Sequence, residues 1–410
     1  MLSKRVLTVL GGGSVWTPYL IQQLAMNTCI NNWQIRLLGT DFSHLNEVMA
    51  FSRRFIEDTP EIQVTVDVAE AVYGASIILN QVRIGGWAAR LDDETFPVQM
   101  GGIGDESLGA GGLRAFIRTW PFVRKVSRII LQYAPDAWML NLTNPSDLIS
   151  RAWYKSGCHR IISLCDYPQT LAHEMAELAE RPEASIDFGF IGITHVGWLI
   201  PPPGLDLRPL LEKHPELRSW ESEWGALPTL WRMRMDNQSS LVDEHQLNPG
   251  VRSRQLIKLV ELMRDAIRSK EQEKYCLLLE KRKLPWYSEV VVPTIRALQG
   301  GARERLIVGL PNNGRLPGVA DDVFWENWAV IDRDFVNPEP ITENARCRQD
   351  IVYYSDCRDS AFEVIMNLNR PSLTSFARSD PFTRIIIEKG NLERLVEFLI
   401  NTTNIYLDIK

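Results

Sequence analysis

The sequence lacks an apolar run of the roughly 18 residues that a membrane-spanning helix needs, and no small-residue cleavage site follows its first apolar stretch. It also lacks an excess of basic charge, since 45 Lys and Arg face 51 Asp and Glu among 410 residues, a net charge of −6. Nucleic-acid binders need a basic surface to displace counterions, so we expect neither a nucleic-acid nor a membrane partner. Cysteine is scarce and scattered, with six residues, which argues against a disulfide framework. We therefore expect a soluble, cytoplasmic protein.

Short apolar runs alternate with helical patterns over residues 1–165, which is typical of parallel βαβ units. Strands are predicted at residues 5–10, 34–38, 62–66, 76–79, 137–140 and 161–164, and helices at residues 17–25, 43–56 and 114–133. The strands are almost continuously apolar, which indicates a sheet covered on both faces. We predict an α/β fold, with a Rossmann-like, doubly wound N-terminal domain at residues 1–165. Residues 166–410 are predicted to form a mostly helical α+β C-terminal domain for substrate binding and oligomerisation.

A turn of small residues follows the first predicted strand directly: Gly11, Gly12, Gly13 and Ser14. Glycines there permit a tight turn and let backbone N–H groups approach a pyrophosphate at the positive end of the next helix. Trp16 occupies the place of the third glycine in the usual G-x-G-x-x-G pattern, so a tight turn without a ligand is the alternative.

Asp41 follows the second predicted strand. A carboxylate there accepts hydrogen bonds from ribose hydroxyls and repels a 2′-phosphate, which favours NAD over NADP. An acid at a helix N-terminus is the alternative. Together with the glycine turn, Asp41 predicts that residues 1–165 bind NAD.

Arginines and a glycine-rich segment follow the fourth predicted strand, at the edge where doubly wound sheets bind ligands. The guanidinium groups of Arg83 and Arg90 suit a phosphate or a carboxylate, with ordinary surface arginines as the alternative. Residues 101–112 contain too many glycines for a regular element. Within them, Asp105 and Glu106 suit a loop that folds over a substrate, and a solvated loop is the alternative.

Polar residues also follow three later apolar stretches. Asn144 would cap the helix that Pro145 begins, or present its amide to a sugar hydroxyl. Cys165 and His195 end two of the stretches, where a thiolate and an imidazole facing one crevice would bind a divalent metal. A buried cysteine and a core histidine without a ligand are the alternative.

These segments together resemble glycoside hydrolase family 4, the NAD- and metal-dependent glycosidases. The family patterns GGGS-x-[YW]-TP, Q-x-R-x-GG, G-x-x-G-x-E-[TS]-x-G-x-GG and N-x-TNP are similar to residues 11–18, 81–86, 101–112 and 141–145. Residues 286–288 and 311–314 are similar to two further family segments, so the resemblance covers nearly the whole chain.

The resemblance implies a mechanism in which NAD takes a hydride from carbon 3 of the sugar and a base removes the proton at carbon 2. A divalent metal, manganese, stabilises the resulting enolate, the aglycone is eliminated, water adds, and NADH returns the hydride. Such enzymes are exceptions to the two-carboxylate scheme of most glycosidases. The implied assembly is a homodimer or a homotetramer.

Family roles are implied for six positions of this sequence, one of them with two candidates. Cys165 and His195 match the metal ligands, and Glu106 and Asn144 match sugar contacts. The arginines that hold a 6-phosphate are matched by Arg90 and by one of Arg252 or Arg254. The expected substrate is therefore a small 6-phosphorylated glycoside, in the manner of a 6-phospho-β-glucosidase.

Four positions or segments depart from the family pattern. Asp105 stands where a Gln is frequent, Asp166 replaces an Asn after the metal cysteine, and Thr194 replaces an Asn before the metal histidine. The family's base tyrosine is absent from residues 227–235.

The missing tyrosine leaves Asp236 and Tyr287 as candidate bases, each with a structural role as the alternative. If neither is a base, two other functions are open. One is an NAD-dependent sugar oxidoreductase that stops at the keto product, and the other is a non-catalytic NAD-binding sensor of sugar phosphates.

Overall fold

One mixed sheet runs through the residues that the computed structural model describes, which are 5–27, 33–56, 60–236, 238–333 and 335–406. Its strands are β1 Arg5–Leu10, β2 Trp33–Leu38, β3 Glu61–Thr65, β4 Ile77–Asn80, β5 Trp138–Asn141, β6 Ile161–Ser163, β7 Gly189–Ile193, β8 Val196–Ile200, β9 Leu227–Pro228, β10 Glu304–Pro311, β11 Phe324–Asp332 and β12 Phe335–Pro338. Across the sheet the order is β3-β2-β1-β4-β5-β6-β10-β11-β7-β8-β9, with β12 paired to β11.

The first six strands pair in parallel in the order 3-2-1-4-5-6, which is that of a dinucleotide-binding Rossmann fold. The two faces of β1 pack into different cores, because successive side chains of a strand point to opposite faces. Val6 and Leu10 join one core, whereas Leu7 and Val9 join the other. This arrangement confirms the predicted doubly wound sheet that is covered on both sides.

Helices cover both faces of the sheet, and their bounds within the described residues are α1 Thr17–Asn27, α2 Phe42–Ser52, α3 Val68–Val72, α4 Gly86–Thr95, α5 Gly109–Tyr133, α6 Ser146–Lys155, α7 Tyr167–Leu178, α8 Arg208–Lys213, α9 Arg218–Trp224, α10 Leu230–Asp236, α11 Gln238–Leu247, α12 Val251–Ser269, α13 Gln272–Arg282, α14 Val292–Leu298, α15 Ala345–Met366, α16 Arg370–Ser379, α17 Pro381–Glu388 and α18 Leu392–Tyr406. Among them, none combines the length and the apolarity needed to cross a bilayer.

The C-terminal half confirms the mostly helical α+β prediction and extends the same sheet. β10 pairs antiparallel with β6, and β11, β7, β8 and β9 continue outward as antiparallel strands. Helices α15 to α18 pack together and against α5. The parallel part of the sheet ends at β6, beside the domain boundary predicted at residue 165.

The glycine-rich segment differs from the prediction, because Gly109 to Gly112 form the first turn of α5 rather than a loop. A Cβ on Gly111 would lie 2.2 Å from the Asp105 carbonyl oxygen and 2.4 Å from that of Asp93. Glycine therefore lets the helix pack directly against two backbone segments, and this close packing outweighs the low helix propensity of glycine.

Candidate active site

The candidate metal ligands follow two strands of the sheet, β6 and β7, that β10 and β11 separate. Cys165 comes two residues after β6, and His195 lies in the two-residue turn that joins β7 to β8. The residues after Cys165 face His195: the Tyr167 ring lies 5.6 Å from the His195 ring at an interplanar angle of 83°, and the Asp166 carboxylate acts electrostatically on His195. The structure thus brings the two predicted segments together.

The surroundings of Cys165 and His195 suit a cation. The Nδ1 atom of His195 is buried without a hydrogen-bond partner among the described residues, and burial lowers the pKa of His195, which favours the neutral imidazole that binds metals. Burial, with the nearby carboxylates of Glu326 and Asp166, raises the pKa of the Cys165 thiol well above its ordinary value. A bound cation would reverse that effect and favour the thiolate.

Only a small number of protein ligands is available to such a metal. Within the described ranges, no cluster of three or more His, Cys, Asp or Glu side chains has metal-binding geometry. Cys165 and His195 would therefore leave coordination positions open, which is the arrangement that a catalytic rather than a structural metal requires.

The glycine turn is built against β2. The N–H groups of Gly11 and Gly12 both donate to the Leu38 carbonyl, at 3.1 and 2.7 Å, and Gly11 has a φ of +86°. A Cβ on Gly12 would lie 2.6 Å from the Cβ of Leu37. Two of the glycines are thus required by the fold itself, which is the alternative that the sequence left open.

The position of the turn nevertheless suits a dinucleotide. It lies between β1 and α1, where the strand order reverses between β1 and β4, and such switch points bind ligands in doubly wound sheets. The Gly13 carbonyl contacts Nε2 of His44 at 2.9 Å, and Ser14 precedes the N-terminus of α1. Asp41 is exposed at the end of β2 and caps α2, with Oδ1 accepting from the His44 N–H at 3.0 Å.

Glu106 is neutralised by two arginines. It forms ion pairs with Arg83 and with Arg90, the latter at 2.9 Å, and the Asn144 side chain also hydrogen-bonds to it. Burial alone would raise the pKa of Glu106, but the two guanidinium groups lower it to about 2. Asp105 instead accepts hydrogen bonds from the Ser107 and Leu108 N–H groups, and burial raises the pKa of Asp105 to about 6.

Arg90 forms more protein contacts than the sequence indicated, and Asn144 has a role other than helix capping. The Nε of Arg90 donates to Glu94 at 2.9 Å and to the Ser253 hydroxyl at 3.1 Å, in addition to the pair with Glu106. Asn144 does not cap a helix, because Pro145 occupies the N-cap position and α6 begins only at Ser146.

Arg252 and Arg282 lie near the cluster of arginines around Glu106. Both Arg252 and Arg254 are exposed, but Arg252 acts electrostatically on Arg90, Glu106 and Arg282, whereas Arg254 donates to the Pro249 carbonyl. Arg252 is therefore the better of the two predicted alternatives. Arg282 is the last residue of α13, and its Nε is buried without a partner among the described residues. Burial lowers its pKa to about 10, and no motif in the sequence signals it.

The structure supports neither candidate base. The Tyr287 hydroxyl is buried and donates to Oε1 of Gln81 at 2.6 Å, and burial raises its pKa, which disfavours proton abstraction. Gln81 in turn donates to the Gly11 carbonyl at 3.2 Å, so Tyr287 supports the glycine turn. Asp236 lies at the exposed end of α10 and pairs with Arg232 at 3.1 Å. Among the described contacts, none joins it to Cys165, His195 or Glu106.

Comparison with known proteins identifies the family of the chain. The sequence profile of the family 4 glycosyl hydrolases matches residues 6–181, and the profile of the family's C-terminal domain matches residues 190–351. The maltose-6′-phosphate glucosidase of Clostridium acetobutylicum is 24% identical over 83% of this chain and 84% of its own length. The 6-phospho-β-glucosidase of Escherichia coli is 23% identical over 83% and 82%.

Solved structures share the fold. The 6-phospho-β-glucosidase of Thermotoga maritima, crystallised with manganese, NAD⁺ and glucose-6-phosphate, superposes with a TM-score of 0.83 at 20% identity, covering 98% of this chain and 99% of that chain. Since the two family profiles together span most of the sequence, the chain belongs to family 4 of the glycosyl hydrolases.

Proposed function

We propose that this glycosyl hydrolase cleaves 6-phosphorylated glucosides with the help of NAD and a divalent metal ion, manganese. The observation that carries the proposal is that the arginine cluster around Glu106 lies within electrostatic reach of His195, on which Asp166, the neighbour of Cys165, also acts. The glycine turn at the strand-order reversal supports the cofactor, and the ligands of the Thermotoga maritima enzyme agree with all three components.

Cys165 and His195 would hold the metal, and Gly13, Ser14 and Asp41 would contact NAD. When bound, NAD supplies a reversible hydride acceptor and the metal a Lewis acid, which together acidify the proton next to an oxidised sugar carbon. The role of the protein is then to orient the sugar, exclude water and move protons.

Asp166 fits a proton-transfer role better than the two bases inferred from the sequence. Burial raises the pKa of its carboxyl group, while His195 and Arg282 nearby oppose that rise. A carboxyl group with a raised pKa keeps its proton to higher pH than a free carboxyl group and can give it to a leaving group. Tyr167 closes this side of the site, with its hydroxyl accepting from the Leu230 N–H at 2.9 Å.

The phosphate would bind at Arg252 and Arg282. Arg90 is already held by Glu94 and Glu106, so its charge is largely balanced. Arg282 has a buried Nε without a partner among the described residues, and Arg252 faces it. Because Arg83 and Arg90 neutralise Glu106, that carboxylate does not oppose an anionic substrate.

The test is release of p-nitrophenol from p-nitrophenyl 6-phospho-α- and 6-phospho-β-glucosides, because the relatives include a protein named 6-phospho-α-glucosidase and one named 6-phospho-β-glucosidase. Absorbance of NADH is followed in the same samples. We expect release that requires both NAD and Mn²⁺, produces no net NADH, and falls in Cys165→Ser. The unphosphorylated glucosides serve as the matched control.

Other outcomes point to the alternatives. Release that is independent of NAD would refute the proposed mechanism. Accumulation of NADH without release would make the protein an oxidoreductase that stops at the keto product, and binding without either reaction would indicate a sensor.

A further inference from the structure

The turn that carries His195 has an unfavourable backbone conformation. Thr194 and His195 join β7 to β8 with φ values of +36° and +67°. Two-residue hairpin turns with two positive φ angles favour Asn and Gly. A β-branched residue such as threonine is costly in this region, because its side chain crowds the backbone. The turn therefore needs a compensating interaction.

The Thr194 side chain supplies that interaction. Its hydroxyl donates to Oδ1 of Asp147 at 2.6 Å and accepts from the Asp147 N–H at 3.3 Å. Asp147 lies in the first turn of α6, and Arg358 on α15 binds both of its carboxylate oxygens at 2.7 Å. All three side chains are buried, with Thr194 and Arg358 each 1% exposed. Charge-assisted, bidentate pairs of this kind have a well-defined geometry.

His195 itself has little else to orient it. Metal-binding histidines ordinarily donate their second ring nitrogen to a carboxylate or a carbonyl. No hydrogen bond to either ring nitrogen of His195 is found among the described residues, Nδ1 is buried, and the ring packs edge-on against Tyr167. The direction of the imidazole therefore depends on the backbone of the turn, which the Thr194 hydroxyl anchors.

We propose that Thr194, Asp147 and Arg358 are positioning residues that hold His195 in the orientation for metal binding. This inference rests on the proposed metal site at Cys165 and His195. Thr194 would act through His195 rather than as a ligand, because its hydroxyl is already bonded to Asp147.

The experiment measures Mn²⁺ affinity by isothermal titration calorimetry on the full-length protein with NAD present. Thr194→Val keeps the shape of the side chain and removes the hydroxyl, and we expect Mn²⁺ affinity to fall about 10- to 100-fold, the usual effect of losing a group behind a metal ligand. Thr194→Ser keeps the hydroxyl and should restore affinity to within a few-fold of wild type. Thr119→Val is the matched control, because Thr119 is equally buried and donates to the Ala115 carbonyl at 2.7 Å.

Thr194→Gly covers the case in which the valine variant does not fold. Glycine relieves the positive φ but removes the anchor, so it should fold and still weaken Mn²⁺ binding. Amide hydrogen exchange of residues 189–200 should also be faster in this variant and unchanged in Thr119→Val. Wild-type Mn²⁺ affinity in both Thr194→Val and Thr194→Gly would overturn the positioning role.

Failure of the metal site itself would look different. If the wild type bound no Mn²⁺, or if Cys165→Ser bound it as tightly as the wild type, both the metal site and the positioning role would be overturned. Failure of the positioning role alone appears as wild-type Mn²⁺ affinity in the Thr194 variants. Failure of the metal site appears as absent Mn²⁺ binding in the wild type or as unchanged affinity in Cys165→Ser.

Discussion

Replacing Gly12 by alanine separates the role of the glycine turn in folding from its role in binding NAD. A Cβ at Gly12 would lie 2.6 Å from the Cβ and 2.7 Å from the Cα of Leu37, so the backbone of β2 or the turn must move. The movement would strain the 2.7 Å hydrogen bond from the Gly12 N–H to the Leu38 carbonyl. Gly13→Ala is the matched control, because its Cβ would meet the nearest atom, on His44, at an ordinary 3.5 Å.

The expected loss of stability follows from this overlap. Overpacking of a close contact costs about 1–3 kcal/mol, so Gly12→Ala should lower the free energy of unfolding by that amount. Gly13→Ala should stay within about 0.5 kcal/mol of wild type, as is usual for a substitution that creates no clash. Both values come from denaturant unfolding without NAD, with unfolding temperatures from calorimetry as a second measure.

NAD affinity, measured by titration of tryptophan fluorescence, completes the comparison. If the whole of the 1–3 kcal/mol is felt by the turn that receives the cofactor, Gly12→Ala should weaken it about 5- to 140-fold, because 1.4 kcal/mol corresponds to a factor of ten. Gly13→Ala should weaken it without a loss of stability if the pyrophosphate passes over Gly13. Equal stability of the two variants would refute the packing argument, and full NAD affinity in both would refute the position of the cofactor.

Three further predictions concern single side chains. Tyr287→Phe removes only the hydrogen bond to Gln81, so kcat should change less than about tenfold; a fall of about 10²–10⁴-fold would restore Tyr287 as the base. Arg252→Ala should weaken glucose 6-phosphate binding about 10- to 100-fold by calorimetry, since a charged hydrogen bond contributes about 1.5–3 kcal/mol. The control Arg254→Ala should have little effect, and equal effects of the two substitutions would contradict the assignment. Burial and the nearby Asp147 raise the pKa of Glu326 to about 8, so the folded protein keeps a proton that the unfolded chain loses near pH 4.3. The contribution of Glu326 to the free energy of unfolding is therefore fully present below about pH 4 and is lost as pH rises to about 8. Glu326→Gln should be more stable than wild type to denaturant at pH 8.5 and show a smaller loss between pH 5 and 8.5; an unchanged pH dependence would contradict the buried neutral carboxyl.

The parallel half of the sheet was predictable because its signal is local. Arg5–Leu10 is observed as predicted, and Ile161–Ser163 lies within one residue of the prediction, since buried strands are short apolar runs between turn residues. The insertion of β10 between β6 and β11 was not predictable, because antiparallel pairing of Gly309 with Ser163 joins residues far apart in the sequence.

In the candidate site too, features that local sequence signals were predictable, whereas contacts between distant residues were not. Cys165 and His195 follow apolar stretches, and the fold brings their segments together as expected. Arg282 was missed because it ends an ordinary surface-like helix, and its proximity to Arg252 arises only from tertiary packing. The structural contact of Tyr287 was not predictable, because its hydroxyl partner, Gln81, is 206 residues away.

The continuous sheet also determines how the protein can be divided. A chain ended after β6 would present the N–H and C=O groups that β10 now pairs, as an open strand edge of apolar residues. Such edges promote self-association and aggregation. The parallel half of the sheet is therefore not a portable module, and any attempt to transplant it into another enzyme must bring an edge-covering strand with it.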